Sequence, residues 1–374
     1  MAVIVAENFN FADAAFANVK NSMLARGYTF TSDMSIWTGG SVATQVENGV
    51  TRTFLNTASN YYADSGNTFN AFGLPLTNNT NPFYLSFRLK LNHTSARNMV
   101  EFGVDTQGSA ALGANRLMRV FNTGNQLQIF PGSGTSASDG GKYIVMPYNQ
   151  WVSIEIFRAA DGKVKIWVDD MLLFGASTFI NTAPVAANPR VYLGPYRNGA
   201  YIQGTYNWQI SDLVLVDAAL PGLQYRVGST GRVEAVPYTA DVAAEWTPPT
   251  GVTDPHNTLM TSWAATPDAT KILTGTTVGQ REKYQVGAVP KSRADNTELL
   301  SVGIERRVNN AGGATHSVAS EIDLGAGNVE VESVTLQAGA GFQYMPKFMD
   351  KKPDGSNWTM ADVAAMKSGF VVKS

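Results

Sequence analysis

The chain has no cysteine, only three histidines, and charged residues at just 16% of its 374 positions. The first absence excludes disulfide staples, cysteine-ligated zinc and thiol nucleophiles. His93, His256 and His316 are not spaced as a metal set, and no His-Glu-x-x-His run occurs. The formal net charge is −2, so no basic footprint points to nucleic acid. No apolar run is long enough to cross a bilayer, and membrane insertion is not expected. The opening stretch, residues 1–8, lacks a basic n-region, so export by an ordinary N-terminal secretory signal is not expected either. A Gly-x-Ser-x-Gly elbow is missing, and the Gly-Ser-Gly at 132–134 reads as a flexible turn. No phosphate-cradling glycine loop precedes a helix.

What is present is alternation. Residues 151–158 place Trp151, Ser153, Glu155 and Phe157 on one side, with Val152, Ile154, Ile156 and Arg158 on the other. Residues 163–169 alternate Val164, Ile166 and Val168 against Lys163, Lys165, Trp167 and Asp169. Two such runs joined through Asp161-Gly162 predict a hairpin, and 207–217 predicts a third strand. Residues 83–91 are the clearest strand: Phe83, Leu85, Phe87, Leu89 and Leu91 share a face that a one-residue slip would expose. Further strands are predicted at 34–37, 42–47, 50–56, 69–74, 98–104, 115–122, 125–130 and 142–146. Strands at this spacing, without intervening helices, predict two packed antiparallel sheets. Ahead of them, a helix is predicted with Asn10 as cap, Asp13 in its first turn, Phe16, Val19 and Met23 on one face, and Gly27 past its end.

After Asp217 the character changes. Residues 218–223 are the predicted boundary, 226–237 an extended crossover strand, and 238–270 a long connection with little regular structure. A second β run follows, with strands at 298–308, 315–324 and 329–337. Thr359 and Asp362 form a capping-box pattern, Gly369 is read as the end of that helix, and Phe370 begins a last strand. The expected fold class is all-β: an N-terminal jelly-roll sandwich over 1–222, a linker or crossover over 223–285, and a smaller β module with one short helix over 286–374.

Chemistry is sparse. Glycoside hydrolysis needs two carboxylates across a cleft. Glu321-Ile-Asp323 is the nearest approach, but Ala326 stands where a further acid belongs. Glu155 has no acidic partner on its strand and reads as a hydrogen-bonded sheet residue. Calcium is weighed at Asp169, Asp170 and Asp105, but the acid spacing of a calcium loop is missing, so no cofactor and no metal site are assigned. Aromatics are the better lead. Tyr192, Tyr196, Tyr201, Tyr206 and Trp208 lie close in sequence among glycines, with Arg197 and Asn198 between them. Aromatic faces with amide and guanidinium donors suit sugar rings or a protein partner, while packing into the sandwich is the plainer alternative. Tyr192, Tyr196, Arg197, Asn198, Tyr201 and Tyr206 are therefore the glycan- or partner-binding candidates. The Tyr61-Tyr62 pair is a weaker one.

Several segments together resemble tailed-bacteriophage structural proteins with a concanavalin A-like, laminin G-like jelly roll. They are residues 6–9, 151–156, 162–169, 192–194, 210–217 and 232–237, with the Pro353-to-Val363 stretch and the closing Ser368-Gly-Phe-Val-Val372 in the C-terminal part. The resemblance implies a virion component, tail- or baseplate-associated and assembled in the bacterial cytoplasm, with other virion subunits and a homo-oligomer as partners. It also implies host-surface glycan as a ligand of the jelly roll. With no catalytic constellation in the sequence, a non-enzymatic role is expected. The alternatives are a carbohydrate-binding or glycan-degrading protein, or a head or collar decoration protein.

Overall fold

The structure, a computed structural model, describes residues 2–9, 16–31, 41–47, 50–61, 68–69, 71–77, 82–93, 100–106, 116–122, 127–132, 143–174, 189–197, 204–217, 226–261, 271–289, 298–339 and 341–374. In chain order the elements begin with β1 (Ala2–Glu7), α1 (Phe16–Ala25), β2 (Thr29–Phe30), β3 (Ser41–Glu47), β4 (Val50–Tyr61), β5 (Thr68–Phe69), β6 (Phe72–Pro75), β7 (Phe83–His93) and β8 (Val100–Asp105). There follow β9 (Arg116–Asn122), β10 (Leu127–Pro131), β11 (Ile144–Met146), β12 (Val152–Arg158), β13 (Val164–Val168), β14 (Met171–Phe174), β15 (Arg190–Arg197) and β16 (Gly204–Asp217). The remainder are β17 (Tyr238–Ala244), α2 (His256–Thr261), β18 (Arg281–Val286), β19 (Val302–Ile304), β20 (Arg307–Val308), β21 (His316–Asp323), β22 (Asn328–Leu336), β23 (Gln343–Tyr344), β24 (Lys347–Met349), α3 (Met360–Ala365) and β25 (Lys367–Val372). Among the described residues no helix is long and apolar enough to cross a membrane.

The protein is all-β, and the chain divides into two compact units: residues 1–45 with 52–233, and residues 46–51 with 234–374. Two eight-stranded sheets build the first unit. One, here the first sheet, runs β14-β13-β12-β7-β16-β4-β3 with β1 also on β16; the second runs β11-β10-β9-β8-β15-β6-β2 with β5 also on β15. All five apolar side chains predicted to share a face of β7 are buried, and in register with them lie Val152, Ile154 and Ile156 of β12. The two sheets meet through these faces: Phe102 of β8 has its ring centroid 6.0 Å from that of Phe87 and 4.7 Å from that of Trp208. Each such side chain, fully buried, contributes about 1.5–3 kcal/mol.

The turns follow local chemistry. Asp169 and Asp170 have φ of 45° and 69°, and they join β13 to β14 as a two-residue hairpin turn of the type that matches strand twist. Their carboxylates belong to that turn's surroundings rather than to a calcium loop. Gly27, at φ 83°, ends α1: its N–H reaches the Leu24 carbonyl and the Tyr28 N–H reaches that of Met23, satisfying carbonyls the helix leaves open. Val19 and Met23 are buried as their spacing predicts. Asn10, Asp13 and the strand expected at 34–37 lie outside the described residues.

The second unit holds a five-stranded antiparallel sheet, β17-β18-β25-β21-β22, and two small pairs, β19-β24 and β20-β23. Val286, Ile304, Ile322, Trp358, Val363 and Met366 are central to its largest core. Thr359 caps α3 as expected, its hydroxyl accepting from the Asp362 N–H while the Asp362 carboxylate accepts from its own N–H.

Four boundaries differ from expectation. The division falls at Val233 and Glu234 rather than at 222, with no separate linker. Residues 226–237 form no strand, and the segment read as irregular contains β17 and α2. β17 is an edge strand whose side chains are mostly exposed, so it carries no alternating apolar run. The single strand expected over 298–308 is two, β19 and β20, on different partners. Between them Arg306 is turned inward and buried, its guanidinium held by Ser320 and Glu332, and burial lowers its pKa to about 10. Finally, Gly369 does not end α3, whose cap is Met366. Gly369 lies within β25, where a Cβ would stand 2.0 Å from the Glu282 carbonyl oxygen. It permits close approach of β18. Gly369→Ala is expected to lower the stability of the second unit by about 1–3 kcal/mol through overpacking, measured as a reduced denaturant midpoint with an unchanged slope.

Candidate functional site

Strand register defines the outward rows of the second sheet. One row reads Thr29, Gly73, Tyr192, Asp105 and Arg116 across β2, β6, β15, β8 and β9. Thr29 and the Tyr192 ring close over Gly73: its Cβ, if present, would be 2.7 Å from each. A larger residue there would expel the phenol. Arg116 and Asp105 form an ion pair, Nε to Oδ2 3.3 Å, with both side chains buried. The next row on the side away from the core reads Gly194, Gly103, Arg119 and Phe130, all four buried, with two neighbouring strands carrying no side chain. Arg119 is buried with its guanidinium 5.7 Å from the Phe130 ring centroid. Further along, the backbones of Phe69 and Glu101 flank that of Tyr196 in register. An acid, two guanidiniums and a phenol thus flank a glycine-floored strip.

The outer face of the first sheet is organised differently. Residues 226–233 lie across it as a strap. Glu155, buried at 1% exposure, accepts from the Tyr84 hydroxyl, the Arg226 guanidinium and the Gly228 N–H. Val227 donates its N–H to the Tyr84 oxygen at 2.9 Å, and Ser229 and Arg226 bond Asp170. Arg226 also sits 4.6 Å from the Trp167 ring centroid. Burial, reinforced by the Glu155 charge, pushes the Tyr84 phenol far above its ordinary range, so it remains a donor. Further along, the bulge in β16 puts Asp212 at φ 51°, where it accepts the Val233 N–H at 2.9 Å. Glu155 and Asp170 are thereby structural anchors.

A third polar cluster lies in the second unit. His256 Nδ1 is 2.8 Å from Glu282 Oε1, and the Trp246 N–H donates to Oε2 at 2.9 Å. Asp241 accepts the N–H groups of His256 and Asn257 at the start of α2. Burial raises the Glu282 carboxyl, offset in part by these partners. Glu321, considered from sequence as half of a hydrolytic pair, is taken by Arg281 at 3.1 Å. Asp323 accepts the N–H groups of Gly325 and Gly327 and closes a turn. Opposite Glu321 in register stands Glu330, whose carboxylate is taken by Lys373 at 2.9 Å. Among the described residues no cluster of three or more His, Asp and Glu side chains could hold a metal ion.

Of the residues singled out from sequence, Tyr192 is half-buried on β15, with Tyr196 and Arg197 further along the same strand. Tyr206 is on β16, in the other sheet, so sequence proximity did not bring it to Tyr192. Asn198, Tyr201 and Tyr62 lie outside the described residues. Sequence reasoning missed Arg116, Arg119, Asp212 and Glu282. Charged residues inside apolar runs, such as Arg119 in residues 117–121, were the one available signal.

Two outcomes test these assignments. Arg226→Ala leaves Glu155 buried without its guanidinium, and is expected to cost about 3–5 kcal/mol; adding Glu155→Gln should restore part of the loss, measured by urea unfolding. For Glu282, whose folded pKa is raised, the neutral form favours the fold: its contribution is complete below the unfolded pKa and is lost as pH rises through the folded one. Wild type should therefore lose stability relative to Glu282→Gln as pH rises above the ordinary carboxylate range. Parallel stability curves for the two would contradict this.

No protein-family model matches the chain, and no curated protein sequence matches it. Solved structures do. A GH131 beta-glucanase catalytic domain from Podospora anserina aligns at 12% identity and TM-score 0.40, over 59% of this chain and 98% of its own. The alginate lyase Aly36B, a mutant in complex with alginate trisaccharide, aligns at 13% and 0.35, over 58% and 98%. An endo-beta-1,4-glucuronan lyase from the fungus Trichoderma reesei aligns at 14% and 0.30, over 50% and 89%. These three are named as a glucanase and two lyases, which runs against the expectation of a non-enzymatic chain, and that expectation is withdrawn.

Proposed function

We propose that the first unit is carbohydrate-active, engaging a polysaccharide on the outer face of its second sheet. The observation that carries the proposal is the row of Tyr192, Asp105 and Arg116 beside the glycine strip Gly194 and Gly103. A sugar chain suits an aromatic edge backed by small residues and fixed polar groups, and Tyr192 stands half-buried in front of buried Gly103, Gly194, Asp105 and Arg116.

The reaction the set favours is β-elimination in an acidic polysaccharide. That chemistry removes the proton next to a uronate carboxylate and breaks the bond to the departing sugar oxygen, leaving an unsaturated ring. It needs a positive charge to hold the carboxylate and a group to move the proton. Arg116 and Arg119, both buried, act on the carboxylate through their field rather than by contact, and Tyr192, the half-buried member of the row, passes the ring proton to the departing oxygen. Hydrolysis is less well served. Glu101 and Asp105 stand four residues apart on β8, roughly 13 Å along a strand at about 3.3 Å per residue, beyond the about 5–9.5 Å of hydrolytic pairs. The virion setting, with other virion subunits and a homo-oligomer, belongs to the same proposal and rests on the sequence resemblance; locating the chain in a particle map tests it.

With alginate or another polyuronate, the protein should release unsaturated uronate, read by ultraviolet absorbance. Tyr192→Phe should lower kcat by about 100-fold or more, and Tyr192→Ala should also weaken binding. Reducing ends liberated from a neutral glucan without unsaturated product would overturn the elimination reading. Polysaccharide binding unaffected by Tyr192→Ala would overturn the site.

A further inference from the structure

The five-stranded sheet of the second unit buries a lysine, a residue rarely found inside without a partner. Lys283 lies on β18, and Gly369 of β25 is in register with it on one side and with Glu321 of β21 on the other. Having no side chain, Gly369 leaves room for the lysine stem to reach across β25. At the far end the Lys283 ammonium nitrogen touches the side-chain oxygen of Asn328, the first residue of β22. The same nitrogen is 3.8 Å from Asp323 Oδ2 on β21. Asp323 and Asn328 are directly opposite each other in the β21–β22 pair.

An amine, a carboxamide and a carboxylate therefore meet. The carboxylate is held in place: its Oδ1 accepts the Gly325 and Gly327 N–H groups at 2.8 and 3.2 Å, which leaves Oδ2 for the lysine. The Lys283 and Asp323 side chains are only 9% and 13% exposed, so little water competes for the amide carbon. Asn328 is exposed at the sheet edge, which gives a small leaving group a way out. Lys367 also stands 3.8 Å from Asp323 Oδ2, but it is more exposed and Asn328 is bonded to Lys283. A second lysine–asparagine contact supplies the contrast. Lys351 touches the Asn357 side-chain oxygen, with both residues exposed, and among the described residues no carboxylate is ion-paired to Lys351. That pair is a surface hydrogen bond. The Lys283 group has the parts of an acyl transfer: a nucleophile already against its acceptor, and a base beside the nucleophile.

We propose that Lys283 and Asn328 join in an intramolecular isopeptide bond, with Asp323 as the proton carrier. Asp323 Oδ2 takes a proton from Lys283 Nζ, and the neutral amine attacks Asn328 Cγ. The Nζ–Cγ bond forms and the Cγ–Nδ2 bond breaks. Two of the three Nζ protons pass through Asp323 to the asparagine nitrogen, which leaves as ammonium, and Asp323 is regenerated. No oxidant, reductant or further reactant enters. The bond ties the edge strand β22 to β18 across two intervening strands, so the sheet cannot shed that edge. None of this depends on the carbohydrate chemistry assigned to the first unit.

Mass spectrometry of the purified full chain is the test. The intact protein should weigh about 17 Da less than its sequence, the mass of one ammonia. Proteolysis should release a branched peptide joining Lys283 to Asn328, while Lys351 and Asn357 appear only in unbranched peptides. Asn328→Ala, at an exposed position, and Asp323→Asn, which keeps an acceptor for the Gly325 and Gly327 N–H groups, should both fold, as read by circular dichroism. Both should have the full sequence mass and give no branched peptide. Full mass in the wild type, with Lys283 and Asn328 in separate peptides, would overturn the proposal. Loss of ammonia without a branched peptide, the mark of a succinimide at an asparagine, would overturn it too. A branched peptide that persists in Asp323→Asn would remove Asp323 from the reaction.

Discussion

Glu155 is a charge that must be answered. It sits in the middle of a sheet, buried, on a strand whose other face is core. An unpaired carboxylate in that position costs several kcal/mol. Tyr84, Arg226 and the Gly228 amide satisfy it, and two of those three come from residues that make no strand. The same logic repeats at Asp212, where the amide of Val233 completes the cage. The result is an irregular segment held in one course by charge-assisted bonds. It ends where the first compact unit ends.

This arrangement gives the two sheets of the first unit different chemistry on the sides away from the core. The part of the first sheet under the strap has its acids committed to backbone and guanidinium partners. The remainder keeps its cations beside Trp151. The second sheet carries Asp105 and Arg116 in register with Tyr192, and Arg119 in the next row with Gly103 and Gly194. The rows follow from one rule: alternation sends one side of each strand away from the core, and whatever chemistry that side carries is delivered in rows.

Much of the sandwich was legible. The strand at 83–93, the hairpin β12–β13 and the long β16 all arise from period-two runs whose burial allows only one register. Gly27 and the Thr359–Asp362 box were readable because helix ends depend on a few adjacent residues. Other features were not. Arg306 breaks an apparently continuous strand because its guanidinium finds Ser320 and Glu332, residues distant in sequence. Gly369 looks like a helix stop until β18 is seen against it. The tyrosine cluster, compact in sequence, is shared between two sheets, since consecutive strands here alternate between layers.

By itself the sequence determined the all-β class, the alternation of faces and the local turns and caps, because each depends on neighbours within a few positions. The tertiary structure alone decided which charges are buried together: Asp105 with Arg116, Glu155 with Arg226, Glu282 with His256. Those pairings join residues that only strand order and strap placement bring within reach. Electrostatic energy falls with distance in space, and a linear chain does not record that distance.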